Sequence, residues 1–166
     1  MYKKKPNLKS QIVIITMNRF FFAALIFMSN SLAFGYYPLV NNYSKNVYRA
    51  GTQNWSITQN NYNLMYFANN QGVLEFDSKS WKIYPISNGT NIRSVLYSNE
   101  KIYAGAFNEF GYYERDASGI LEYHSLRSKI EQKVENMNEI WQIHQGDNAM
   151  FFRADRYVFE FKNGKM

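Results

Sequence analysis

A repeat governs what this chain can fold into. Val73-Leu74-Glu75-Phe76 returns 85 residues later as Val158-Phe159-Glu160-Phe161, and the same shift carries Met65-Tyr66-Phe67 onto Met150-Phe151-Phe152. A weaker copy lies between them. Ile102-Tyr103-Ala104-Gly105 and Gly111-Tyr112-Tyr113-Glu114 follow Ile92-Arg93-Ser94-Val95 as Tyr66 to Ala68 and Gly72 to Glu75 follow Trp55-Ser56-Ile57. The steps are 37 to 39 residues, then 46 to 48. Short apolar stretches at this period, parted by Asn, Gly and Asp turns, specify β-propeller blades, because one such unit cannot bury both of its faces alone. The expected fold class is therefore all-β: an incomplete β-propeller of about three four-stranded antiparallel blades at residues 53–86, 91–125 and 139–166, the third truncated. A closed ring takes about 4 to 8 blades. The chain thus reads as an amino-terminal fragment, with a short protein that completes its array by self-association as the alternative.

Alternation assigns the strands. Nearly every position of Leu64 to Ala68 is apolar, as in a central strand covered on both sides, whereas Trp81-Lys82-Ile83-Tyr84 alternates like a strand with one wetter face. The first blade is then Asn54 to Gln59, Leu64 to Ala68, Val73 to Asp77 and Ser80 to Tyr84, with Asn69-Asn70-Gln71-Gly72 as its tight inner connection. In the second blade the corresponding connection, Phe107 to Gly111, reads one residue longer; in the third, Ala154 to Tyr157 lacks glycine. Asn163-Gly164 is a hairpin turn by composition. Between the second and third copies, Ser128 and Glu131 have capping-box spacing, and Leu126, Ile130, Val134 and Met137 recur at helical intervals. One short helical insertion packed on the rim is expected there.

Charge is unevenly distributed. Lys3, Lys4, Lys5, Lys9 and Arg19 fall in residues 1–35, which hold no acid, and the rest carries 14 Lys plus Arg against 13 Asp plus Glu. The apparent basicity belongs to the leader, and the repeats show no basic stripe of the kind that phosphate neutralisation needs, so direct nucleic-acid binding is not expected. Residues 1–35 read as a signal peptide: Arg19 precedes the apolar run Phe20 to Met28, and Ala33-Phe34-Gly35 offers small residues for cleavage before Tyr36. Met17 is a second candidate start. The nine-residue run is short of the about 20 residues that a membrane span requires. Residues 36–52 are a lead-in to the blades. The expected location is exported, and the lack of cysteine removes disulfides, thiolate catalysis and Cys-ligated metal from consideration.

Catalytic signals are sparse. His124 and His144, the two histidines, have no second ligand at metal-binding spacing, so no metal site is expected. Propeller enzymes that cleave sugars hold unequal acids at the central mouth. Glu75, Glu114 and Glu160 instead recur at matching places in the three copies, which argues for one structural task repeated. No serine nucleophile elbow and no phosphate loop is present. The expectation is no enzyme, no catalytic residue and no cofactor. Ligands of propellers favour the loops at the central mouth, which makes Asn69, Asn70, Asn108 and Glu109 the candidate ligand-binding residues. Trp55, Tyr66, Trp81, Tyr112, Tyr113 and Trp141 offer ring faces for sugars, although their strand positions favour packing.

Asn42-Tyr43-Ser44, Tyr48-Arg49-Ala50-Gly51, Gln53-Asn54-Trp55-Ser56-Ile57, Met65-Tyr66-Phe67-Ala68-Asn69 and Gly72-Val73-Leu74-Glu75-Phe76 together resemble the two-component-regulator-type propeller. Asn63 and Ser78 stand where that family places turn glycines, and Asn69-Asn70 replaces a Gly-Asn or Gly-Thr pair. Glu109-Phe110-Gly111-Tyr112-Tyr113-Glu114-Arg115 and Asn138-Glu139-Ile140-Trp141 are more similar to the branch with a LuxR-type output. The resemblance implies the extracytoplasmic sensor region of a bacterial regulator, located in the periplasm. In such proteins a triple-tyrosine (Y_Y_Y) immunoglobulin-like domain and a membrane helix follow, with a LuxR-type helix-turn-helix domain or a histidine kinase as output. The implied partners are an unidentified small-molecule or carbohydrate signal and the remainder of a regulator chain. It implies membrane attachment only through that remainder, and leaves a homodimer of the full-length protein open. A secreted propeller that binds or cleaves polysaccharide is the main alternative function, and a protein-interaction scaffold a third.

Overall fold

The structure, a computed structural model, describes residues 7–29, 38–132 and 134–166. The chain forms two compact units, residues 1–41 and 42–166. In the first, helix α1 (Leu8–Ser29) runs unbroken through Asn18 and Arg19, with Ile12, Val13, Ile15 and Phe20 to Phe22 exposed. No described helix is long and apolar enough to cross a membrane. The proposed cleavage site, Ala33 to Gly35, lies outside the described residues.

The second unit is a set of antiparallel sheets laid out as a propeller-like array. The first sheet contains β1 (Asn54–Gln59), β2 (Met65–Asn69), β3 (Gly72–Phe76) and β4 (Trp81–Tyr84) in sequence order. The second contains β5 (Ile92–Ser98), β6 (Lys101–Ala106), β7 (Glu109–Arg115) and β8 (Leu121–Ser125). The third has three strands, β9 (Gln142–Gln145), β10 (Met150–Arg153) and β11 (Val158–Phe161). First strands lie beside first strands: the Val95 and Tyr97 amides of β5 donate to Ser56 Oγ (2.9 Å) and Thr58 Oγ1 (3.1 Å) of β1, and Ser94 Oγ donates to the Ile140 carbonyl (2.8 Å) just ahead of β9.

Two apolar slabs hold the sheets together. Tyr66, Val73, Ile92, Ile102, Ala104 and Tyr113 fill the space between the first and second sheets. Tyr103, Phe110, Met137, Ile140 and Phe152 fill that between the second and third. Period-two alternation explains the division: along β6, Ile102 and Ala104 face one slab while Tyr103 faces the other, so a strand buried on both sides reads as continuously apolar. The outer face of the first sheet is closed by the lead-in. Tyr43 sits 5.3 Å and Tyr48, at the end of the one-turn helix α2 (Lys45–Tyr48), 5.7 Å from the Trp81 ring, which itself stacks on Phe76 at 4.1 Å.

The turns follow from local chemistry. Asn63 and Ser78 adopt φ of 63° and 73°, the left-handed conformation that glycine takes at low cost. Around Ser78, the Asp77 carboxylate accepts from the Lys79 and Ser80 amides and the Ser80 hydroxyl, and these bonds lower its pKa from 3.8 to about 2. Asn163-Gly164 closes a two-residue turn with both φ positive and reciprocal bonds between Lys162 and Lys165.

Two expectations need correction. The helical insertion is a single 3-10 turn, Arg127–Lys129, and the residues after it leave helical geometry at Ile130, whose ψ is 112°. Asn138 has φ of 57° and its amide binds the Asn136 side chain, a local bond that competes with helix. Leu126 and Met137 are nevertheless fully buried, so the spacing of apolar residues there reflects what the core takes up. The second inner connection is no longer than the first: Ala106 pairs with Glu109 as Asn69 pairs with Gly72, leaving two residues in each turn. In that register the counterpart of Glu75 is Tyr112, and Glu114 lies two positions further along β7.

Candidate functional site

The inner edge of the array carries an aromatic and charged cluster. β1 and β5 each have a register break near their starts, between Asn54 and Ile57 and between Ile92 and Ser94. A bulge of this kind re-aims side chains out of the regular alternation. Trp55 and Arg93 sit at these breaks and Trp141 immediately before β9, so three successive sheets each contribute one residue. The guanidinium carbon of Arg93 lies 4.0 Å from the Trp55 ring centre and 5.6 Å from that of Trp141, and the two indoles meet edge to face at 6.2 Å. Glu139 accepts from Arg93 Nη2 at 2.8 Å.

Each indole is held by the turn beside it. Trp55 Nε1 donates to Asn70 Oδ1 (2.8 Å) and Trp141 Nε1 to Asp155 Oδ1 (2.7 Å), and Asn70 and Asp155 occupy equivalent places in the β2–β3 and β10–β11 turns. Fixed by these bonds, Trp55 and Trp141 keep 39% and 37% of their surface exposed, enough to offer ring faces to a ligand. Chemically the cluster can stack on flat or pleated apolar faces.

Of the four residues singled out for ligand binding, one touches this cluster. Asn70 does so through Trp55. Asn69 is fully buried; its amide nitrogen donates to the Gly51 and Gln53 carbonyls and to Asn54 Oδ1, while its oxygen accepts from the Gly51 and Gln71 amides. It fastens the lead-in to the β2–β3 turn. Asn108, with φ of 53°, accepts the Met137 amide (2.7 Å) on its side chain and Arg127 on its carbonyl. Glu109 is buried, and its carboxylate accepts from Ser125 Oγ (2.7 Å), Tyr123 OH (3.0 Å), Ser87 Oγ (3.3 Å) and the Phe110 amide (2.9 Å). Arg93 and Glu139 were not legible as site residues one at a time. The 46-residue step that aligns Arg93 with Glu139 and Ser94 with Ile140 is the signal that finds them.

The three recurring glutamates have different surroundings. Glu75 is buried and pairs with Arg115 of the second sheet, which also donates to Tyr66 OH at 3.2 Å. Glu114 is exposed beside Lys101 (3.2 Å), and Glu160 is exposed on β11. His124 stacks on Tyr112 at 5.1 Å, and His144 lies 3.4 Å from Gln142. No group of three or more potential metal ligands occurs among the described residues.

Burial pushes the Tyr66 hydroxyl up to about 12, with the Arg115 hydrogen bond acting in the opposite direction. Tyr113 and Tyr123 are raised further by burial and by the Glu109 charge, and Tyr84 and Tyr103 are raised by burial. For a group whose folded pKa exceeds its unfolded value of 10.0, the stabilisation is complete below pH 10 and is lost as pH rises through the folded pKa. Stability is therefore expected to fall steeply above pH 10, the Tyr66 contribution disappearing by about 12, with tyrosinate absorbance lagging that of an unfolded control. Coincidence of the two titrations would show these hydroxyls to be solvent-accessible.

No family model and no curated protein matches this chain. Among solved structures it is similar to the extracellular domain of BT4673 from B. thetaiotaomicron, a protein described as a one-component system, with a TM-score of 0.48 and 16% identity. The match covers 69% of this chain and 16% of that one, so the chain spans about one-sixth of its neighbour's length.

Proposed function

We propose that this chain is the receiving part of an extracytoplasmic sensor, an exported propeller segment of a transcriptional or two-component regulator, and that its signal is an oligosaccharide seated on Trp55, Arg93 and Trp141. The observation that carries the reading is the composition of the inner-edge cluster: two half-exposed indoles from the first and third sheets frame a guanidinium from the second. A ligand stacked there touches three sheets at once, so its binding energy depends on their relative placement, which is the requirement for a ligand to bias a conformational equilibrium. The leader composition and the resemblance to regulator propellers support the exported, signal-receiving role.

Calorimetric titration of the exported protein with cello-, xylo- and galacturono-oligosaccharides tests this. Saturable binding of one class is expected, with affinity falling by about tenfold or more in Trp55→Ala and in Trp141→Ala. Failure of all three classes to bind, or unchanged affinity in both variants, refutes the site. Release of new reducing ends during the titration would assign the chain to polysaccharide cleavage instead.

A further inference from the structure

At the opposite end of the array, away from Trp55 and Trp141, a cavity of about 360 Å³ opens between the first and second sheets. Its walls are aromatic and apolar: Tyr62, Leu64, Tyr66, Tyr97 and Ile102 line it. The turn before β2 is held rigidly, since Asn60 Oδ1 accepts the Tyr62 and Leu64 amides at 2.9 Å each and Asn60 Nδ2 donates to Tyr66 OH at 3.3 Å. Tyr62 is thereby presented at the rim with 72% of its surface exposed.

The polar lining is unequally committed. Arg115, which also borders the cavity, spends Nη2 on Glu75 and Tyr66 and Nη1 on the Gly119 carbonyl (2.7 Å), so its charge is neutralised and its donors are directed elsewhere. Glu114 shares its charge with Lys101. Glu100 is exposed and takes part in none of the ion pairs among the described residues. It also occupies the second position of the two-residue Asn99-Glu100 hairpin with φ of 62°, where glycine is the unstrained choice. The fold thus holds an exposed carboxylate without an ion-pair partner, in a costly backbone conformation, beside a cavity lined in part by tyrosine.

We propose that this cavity is a binding site for an organic ammonium ion, with the Tyr62 and Tyr97 rings packing on the cation and its alkyl groups and Glu100 as the counter-ion. Ring faces attract a cation through their quadrupoles and suit the soft, weakly hydrated surface of an alkylammonium better than a metal ion. The volume is that of a small-molecule site. This site is separate from the oligosaccharide reading and stands without it.

Calorimetric or NMR titration of the full chain with choline chloride tests the proposal, with sodium acetate as the anionic counterpart. Saturable choline binding is expected, weakened by about tenfold or more in Glu100→Gly and in Tyr97→Ala, and weakened by added salt. Glu100→Gly also relieves the left-handed turn, so its unfolding temperature should equal or exceed that of the parent, which separates lost binding from lost folding. The proposal is overturned by saturable acetate binding without choline binding, which would make Arg115 the operative group, by no binding of choline, or by choline binding that survives Glu100→Gly unchanged.

Discussion

Replacing Arg115 with Met is expected to destabilise the chain by about 3 kcal/mol, whereas the double replacement Arg115→Met with Glu75→Gln costs distinctly less. The asymmetry follows from burial. The Glu75 side chain is 6% exposed between the first two sheets, while Arg115 is 34% exposed at the edge of the same interface. Removing Arg115 strands a carboxylate where water cannot reach it, with the Tyr84 hydroxyl, 3.5 Å away, as a weak remaining donor. Breaking a buried pair costs about 3 to 5 kcal/mol, and the lower end applies because Arg115 is partly solvated. Glu75→Gln alone leaves a cation that can turn to solvent, and should cost about 1 kcal/mol. A double-mutant cycle by urea unfolding reads the coupling directly. Equal losses for the two single variants would mean that the pair is screened by water and that the sheets are not closed over it.

The same interface shows how far the residues alone could be read. Strand β1 lies where alternation puts it, and β2, β3 and β4 deviate by a single residue at their ends, because repeated apolar patterning and Asn-rich turns point to the same boundaries. Asn63 and Ser78 take the left-handed backbone conformation that glycine adopts at least cost, so both turns form without glycine at these positions. The offset between Glu114 and Glu75 has a definite cause. Gly72 and Gly111 look equivalent in sequence, and at both an outer-strand carbonyl leaves no room for a Cβ, which would come within 2.3 Å of the Tyr84 oxygen at Gly72 and 2.1 Å of the His124 oxygen at Gly111. Their places in the ladder differ: Gly72 pairs with Asn69 beside the turn, Gly111 with Ala104 in mid-strand. Aligning the two glycines shifts β7 by two residues and places Glu114 on Glu75. Ladder pairing removes the error, and pairing is not written in one strand's letters. The inner-edge cluster was half legible for a similar reason: Trp55 and Trp141 stand out as residues, but the guanidinium between them depends on bulges that local patterning does not reveal.

Packing between the second and third sheets supplies the second large effect. Phe152 is fully buried, with its ring 4.6 Å from Phe110 and 6.1 Å from Tyr103 of the second sheet. Its neighbour Phe151 points to the other face of the third sheet and is half-buried. Truncating a buried phenylalanine costs about 3 to 5 kcal/mol, from lost transfer energy and from the cavity left behind. Phe152→Ala should therefore lose about 4 kcal/mol, while Phe151→Ala, which opens no enclosed cavity, should lose about 1 kcal/mol. The difference also reaches the inner edge. Trp141 is carried by the third sheet through the hydrogen bond its backbone N–H donates to the carbonyl of Arg153, next to Phe152. Loosening that sheet from the second should weaken the hold of Trp141 on Arg93 and shift tryptophan emission under conditions where Phe151→Ala leaves it unchanged. Urea unfolding followed by emission measures both quantities. Equal costs for the two phenylalanines would mean that the third sheet does not stack on the second, and a surface shared by three sheets at Trp55, Arg93 and Trp141 would then have no physical basis.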